Sequence, residues 1–200
     1  MDRKEFYIEK SLKLFLKYGV KSVTIGDIAN QLNISTKTIY KLFEDKTGLV
    51  KDCLTLDSEI IAQTYERILK KENALEALIE FYNELVNRIS SVNPNYFDDI
   101  RKYFPQIWES STRFSIQQIQ ILLQRGVNSG IFYKNIDTEI CAKSLVLLIR
   151  AMLEEESFSS IITDRRKLTA NVIYPYIRGI CTSQGLEVIK SHFNQGVIAY

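Results

Sequence analysis

Eight glycines and three prolines, the prolines at 94, 105 and 175, are all the strong chain breaks in 200 residues. The two residue types together average about 12% of a chain. A sandwich or barrel needs a tight turn roughly every ten residues, more than this chain provides. Between the breaks, apolar side chains recur at i, i+3, i+4 and i+7, the spacing of one helix face. The predicted fold class is therefore all-α. With 46% hydrophobic and 25% charged residues, the chain has the composition of a folded globular protein and not of a disordered one. Its length allows one or two domains.

The first quarter reads most clearly. Ile8, Leu12, Phe15 and Leu16 share a face of the first helix, with Lys10, Lys13 and Lys17 on the other side and Gly19 after the last turn, where a C-terminal cap is expected. Thr24 caps a short second helix whose buried face is Ile25, Ile28, Ala29 and Leu32. Asp27 lies in its first turn, where negative charge suits the helix dipole. Asn33 tolerates the left-handed backbone of a tight turn. Ser35 caps a third helix, Ile39 and Phe43 give it a buried face, and Asp45 caps a fourth. Residues 24–43 thus form helix, tight turn, helix, a unit whose second member fits the DNA major groove. The same pattern is also met in plain helical hairpins. The second helix carries Thr36, Lys37, Thr38, Tyr40 and Lys41, the polar and basic types that reading base edges requires. Charge agrees with a polyanion partner. Residues 1–51 hold ten lysines and arginines against six acids, and the remainder holds sixteen against eighteen.

The run Lys10-Ser-Leu-Lys-Leu-Phe15, Tyr18-Gly19, Val23-Thr24-Ile-Gly-Asp27-Ile28-Ala29, Leu32-Asn-Ile34-Ser35-Thr-Lys-Thr38-Ile39-Tyr40-Lys-Leu-Phe43-Glu-Asp45-Lys46-Thr-Gly-Leu49 resembles the N-terminal domain of TetR-family transcriptional regulators, in order and spacing, over roughly 45 residues. The resemblance implies an all-α homodimer in two parts, a helix-turn-helix DNA-binding domain over 1–46 and a helical ligand-binding and dimerisation domain over 47–200. It implies a repressor released from double-stranded, palindromic operator DNA by a small apolar ligand. By position, Ser35 caps the recognition helix, and Thr36, Lys37 and Lys41 are its candidates for base contact. Thr24, Thr38, Tyr40 and Lys46 match positions that touch phosphates. Thr24 and Lys46 stand at helix N-termini, which favour an anion. Lys37 and Lys41, four apart, share a face, and each reaches either guanine O6/N7 or a phosphate. The chain departs from the family pattern at Asn33, where glycine is usual, and at Leu42, where an aromatic or histidine is common.

Beyond residue 46, periodicity is the guide. Helices are predicted over 46–69, 74–89, 96–104, 107–128, 138–157 and 165–180, with a short last one over 186–193. Pro175 is expected to kink its helix. Expected inward residues include Ile60 and Ile61 in the first of these and Ile140, Leu145 and Ile149 in the fifth. The resemblance assigns the helices at 138–157 and 165–180 to the homodimer interface. Aromatics concentrate between 81 and 114, where Phe81, Tyr82, Tyr103, Phe104, Trp108 and Phe114 read either as core or as the wall of an apolar ligand pocket. Gln117 and Arg150, with Arg113, are the candidate polar groups of such a pocket, and Glu154 is the alternative partner of Arg150.

The longest apolar stretch, 145–153, is too short to span a bilayer and contains Arg150. The first residues lack the apolar core of a signal peptide, so the expected location is the cytoplasm. Cys53, Cys141 and Cys181 are odd in number and widely spaced, which predicts reduced, buried thiols. His192 is the only histidine. No cofactor or metal site is expected, and no nucleophile–base pairing with spacing logic points to an enzyme. The rival readings are a helical ligand- or partner-binding protein without operator binding, and a regulator independent of ligand.

Overall fold

The computed structural model describes residues 2–154 and 169–194. Every regular element among them is helical. They are α1 Arg3–Tyr18, α2 Ile25–Leu32, α3 Thr36–Phe43, α4 Lys46–Leu69, α5 Ala74–Ser91, α6 Pro94–Tyr103, α7 Pro105–Asn128, α8 Thr138–Glu154, a π-helical turn Thr169–Ile173, α9 Tyr174–Ile180 and α10 Ser183–Asn194. The ends of the predicted helices at 155–157 and 165–168 lie outside the described residues.

The boundaries follow from local chemistry. Asn93 Oδ1 accepts from Asn95 N–H at 3.0 Å, so Asn93 caps α6 and Pro94 opens it. Pro105 closes that helix and starts α7 in the same way, because a first-turn proline loses no helical hydrogen bond. Asn73 caps α5 by accepting from Leu75 N–H and Glu76 N–H at 2.9 and 3.2 Å. Asp137 does so for α8, accepting from Glu139 and Ile140 at 2.9 and 3.0 Å. Pro175 sits in the first turn of α9, directly after the π-helical turn. The expected kink is thus a widened turn followed by a fresh helix start, an arrangement that accommodates the missing proline N–H.

Packing divides the chain into two units that cut across its linear order. One contains Met1–Thr64 and Ser91–Ser111, the other Tyr65–Ser90 and Thr112–Tyr200. In the first, Phe15, Ile28, Ile39 and Leu49 are wholly buried and pack with Phe43, Val50 and Leu54. Val92, just before α6, and Tyr96 and Ile100 within it join the same cluster. Burial of each such aliphatic or aromatic side chain contributes about 1.5–3 kcal/mol, so α6 is an integral part of this unit.

The second unit centres on Leu75, Leu78, Phe81 and Tyr82 of α5, Ile119 and Leu122 of α7, and Phe132. Arg125 closes the C-terminus of α4 by donating to the carbonyls of Leu69 (2.6 Å), Lys71 and Glu72. The Phe132 ring lies against Gly126, where a Cβ would collide with it. Phe132 pairs with Cys181 in an isolated antiparallel bridge. Tyr65 lies tilted against Phe81 and stacks on Phe114, at 4.3 and 6.0 Å between centroids.

Periodicity misplaced two side chains. Ile60 of α4 is 45% exposed and Ile140 of α8 is 62% exposed, whereas Ile61 is half-buried. An apolar stripe shows that a helix has an oily side, but not that another element of the same chain covers all of it. The three cysteines are free and buried, as expected. No described helix is long and apolar enough to cross a membrane.

Candidate nucleic-acid interface

The helix-turn-helix is built from its caps inward. At α2, Thr24 Oγ1 accepts from Asp27 N–H at 3.1 Å, while Asp27 Oδ2 accepts from Thr24 N–H at 2.8 Å and from Thr24 Oγ1 at 2.7 Å. These bonds hold the Asp27 carboxyl below the usual carboxylate range, the Thr24 side chain contributing most. The helix ends at Asn33, whose φ of 53° and ψ of 43° place it in the left-handed region. Ile34 N–H then donates to Ala29 O at 3.0 Å, closing the carbonyls of the last turn. Asparagine therefore makes the turn that glycine usually makes in the family.

Two residues later Ser35 opens α3, its hydroxyl accepting from Thr38 N–H at 3.1 Å and lying 2.9 Å from Thr38 Oγ1. Ile39 and Phe43 anchor one side of α3 in the core. Thr36, Lys37, Tyr40 and Lys41 are exposed on the other, with Tyr40 at 50%. Thr36 with Tyr40 and Lys37 with Lys41, each pair four apart, form two neighbouring rows of one exposed stripe. Thr38 is half-buried at the edge of that stripe, its hydroxyl engaged by Ser35. The stripe offers hydroxyl, ammonium and phenol groups to base edges and phosphates alike.

The junction into α4 holds a residue that periodicity missed. Glu44 has φ 62° and ψ −56°, and Asp45 N–H donates to Phe43 O across it at 2.7 Å. This is the rarer γ-turn, strained for any residue with a Cβ. Asp45 Oδ1 accepts from Gly48 N–H at 2.7 Å and caps α4. Lys46 is half-buried, and its ammonium donates to Val20 O at 2.7 Å. Burial holds its pKa below the usual lysine range, opposed by the nearby carboxylates of Asp99 and Asp27. An ammonium has three donors, so one contact to a carbonyl leaves two for a phosphate.

The expected pocket residues fall into both packing units. Phe104 and Trp108 pack on the core around α1–α4, and Tyr103 beside them is 47% exposed. Phe81 and Tyr82 are buried in the other unit, where Phe114 and Arg150 are half-buried and Gln117 and Arg113 are exposed. Among the described residues Tyr82 Oη has no hydrogen-bond partner, and burial raises its pKa well above the usual tyrosine range. The side chain of Glu154 lies outside the described residues. A separate open groove of about 590 Å³ lies beside Leu14, Tyr18, Asp27, Asn30 and Asn93, and contains none of these aromatics. Among the described residues no cluster of His, Cys, Asp and Glu could hold a metal ion.

Residues 8–53 match the family model of bacterial regulatory proteins, tetR family. The chain is 25% identical over 152 residues to the HTH-type transcriptional repressor KstR2 of Rhodococcus jostii, covering 72% of this chain and 74% of that protein. A transcriptional regulator from Cytophaga hutchinsonii shares the fold, with a TM-score of 0.71 at 20% identity over 89% of this chain and 98% of that one. So does a cysteine variant of the TetR-family regulator CifR complexed with 26-bp double-strand operator DNA, with a TM-score of 0.67 at 15% identity over 90% and 97% of the two chains.

Proposed function

We propose that this chain, whose residues 8–53 match the tetR-family model, is a transcriptional repressor that grips a palindromic operator as a homodimer and releases it when a small apolar ligand binds. The observation that carries the reading is the outward stripe of α3, where Thr36, Lys37, Tyr40 and Lys41 stand exposed on a helix capped by Ser35 and anchored by Ile39 and Phe43. A short rigid helix with that face is what major-groove recognition needs. Thr24, Thr38, Tyr40 and Lys46 hold phosphates, and Thr36, Lys37 and Lys41 meet the bases. Residues 1–46 read DNA and residues 47–200 bind ligand and dimerise. A regulator of bacterial operators works in the cytoplasm, where the DNA is.

Two observations support the finer parts. On α8, Ile140 and Leu147, two turns apart, are 62% and 61% exposed. Apolar side chains left open at that spacing fit a helix that buries its second face against a partner copy, here over 138–157 and 165–180. In the unit around α5, the hydroxyl of buried Tyr82, which has no partner among the described residues, is a polar anchor for a ligand among Phe81, Phe114 and Arg150. Buried polar groups are otherwise almost always bonded. For release, the ligand must bind the DNA-free form more tightly than the DNA-bound form.

Selection from random duplexes, followed by sequencing, tests the reading. Recovery of an inverted repeat with half-sites about one helical turn apart supports it. Recovery of no preferred sequence points instead to a ligand- or partner-binding protein without operator binding.

A further inference from the structure

We propose that Asp99 of α6, assisted by Asn93, is a positioning residue for DNA binding, clamping the turn between α1 and α2 so that Thr24 and Lys46 face the phosphates together. The proposal rests on the DNA-binding reading above.

The clamp closes on a single peptide group. The Val20 carbonyl accepts from the Lys46 ammonium at 2.7 Å, and the N–H of the same peptide, that of Lys21, donates to Asp99 Oδ2 at 2.7 Å. A cation at the oxygen and an anion at the hydrogen both align with the peptide dipole, and such charge-assisted bonds are the stronger kind. Asp99 is buried and acts electrostatically on Lys46 as well. Asn93 fixes the chain just before the turn. Its N–H donates to Leu16 O at 2.9 Å and its amide to Lys17 O at 3.2 Å, satisfying carbonyls that the end of α1 leaves open.

Steric fit points the same way. Gly19 has φ 86°, and a Cβ there would stand 3.1 Å from Asn95 Cβ and 3.3 Å from Asp99 Oδ2. The turn thus runs directly against α6. α6 is also tied to α4 by the buried bond from Tyr96 Oη to Asp57 Oδ2, at 3.0 Å. Thr24, three residues past the clamped amide, opens α2, and Lys46 opens α4. Both phosphate anchors therefore take their places from one carboxylate, about fifty residues beyond the matched family segment. A buried acid that merely stabilised the unit would lower the fraction of folded molecules. A positioning acid lowers the affinity of every folded molecule.

The full-length chain, Asp99→Ala, Asp99→Asn and the exposed neighbour Asp98→Asn are compared on the duplex that the wild-type chain recovers from the random library. Stoichiometric titration gives the active fraction, salt-dependent binding gives Kd and its slope, and amide exchange follows Lys21. Asp99→Ala is expected to raise Kd by about tenfold, with the active fraction unchanged, the salt slope flattened as the Lys46 contact is lost and the Lys21 amide exchanging faster. Asp99→Asn keeps an acceptor for Lys21 N–H and recovers part of the loss, and Asp98→Asn binds as the wild type does. An unchanged Kd, or a loss confined to the active fraction, overturns the proposal. If Asp99→Ala does not fold, Asp99→Asn decides, because a several-fold weaker Kd at full active fraction supports the clamp and an unaltered one refutes it. Failure of the wild-type chain to retain any duplex is the distinct result that defeats the DNA-binding reading itself.

Discussion

Tyr40 and Lys37 lie on the same stripe of α3, but the chemistry of their side chains separates them. In the proposed complex the phenol of Tyr40, half exposed beside the buried anchors, meets the sugar–phosphate backbone, which is alike at every base step. The proposed contact of the Lys37 ammonium, in the first turn of α3, is to base edges, which are not alike. Tyr40→Ala is therefore expected to weaken binding to cognate and random duplexes by the same factor. Lys37→Ala should weaken the cognate duplex more, lowering the specificity ratio by about 1–3 kcal/mol for the base lost. Competition binding with both duplexes measures each, and equal losses for Lys37→Ala reassign it to a phosphate. Tyr82 poses a different question, because its hydroxyl is buried without a partner among the described residues. Replacing it by phenylalanine removes a desolvated polar atom while keeping the ring, so Tyr82→Phe should raise the urea midpoint, with a gain of about 1 kcal/mol. A lower midpoint would mean that the hydroxyl is already paired in solution, for instance by a bound molecule.

At the scale of elements, the junction between α3 and α4 stores strain. Glu44 occupies a γ-turn that disfavours any Cβ, so Glu44→Gly should stabilise the chain by about 0.5–1 kcal/mol, the relief of strain exceeding the added freedom of the unfolded glycine. Gly48 shows the opposite sign. Helix propensity alone favours alanine there, but a Cβ would collide with the Phe43 carbonyl, so Gly48→Ala should destabilise. Thermal melts of the two variants test both. These cases show where sequence is legible. The caps at Thr24, Ser35 and Asp45 and the turn at Asn33 depend on residues within four positions, so α1 to α4 and the exposed stripe could be read directly. The buried Asp99 and the capping Asn93 could not, because their partners Lys21 and Lys17 lie 78 and 76 residues away. Spacing on one helix holds no information about such pairs. Ile60 and Ile140 failed for the converse reason, since their helices are oily on more sides than this chain's own packing covers.

For the whole molecule, charge and symmetry make a joint prediction. The excess of ten basic over six acidic residues in 1–51 contrasts with sixteen against eighteen in the remainder, so the field that attracts DNA is localised at the reading head. Each phosphate neutralised by a lysine releases condensed counterions, and the log–log dependence of affinity on salt steepens by about 0.9 per contact. In a homodimer on a palindrome every contact occurs twice. Lys46→Gln, which keeps a donor for the Val20 carbonyl while removing the charge, should therefore flatten the slope by about 1.8, twice the value of a single contact. Titrations between low and moderate salt on the selected duplex read the difference. A change near 0.9 would mean that one head is engaged, and the paired half-sites would then fall. A change near zero would mean that the Lys46 ammonium serves the Val20–Lys21 peptide alone, leaving phosphate binding to Tyr40, Thr38 and the helix termini.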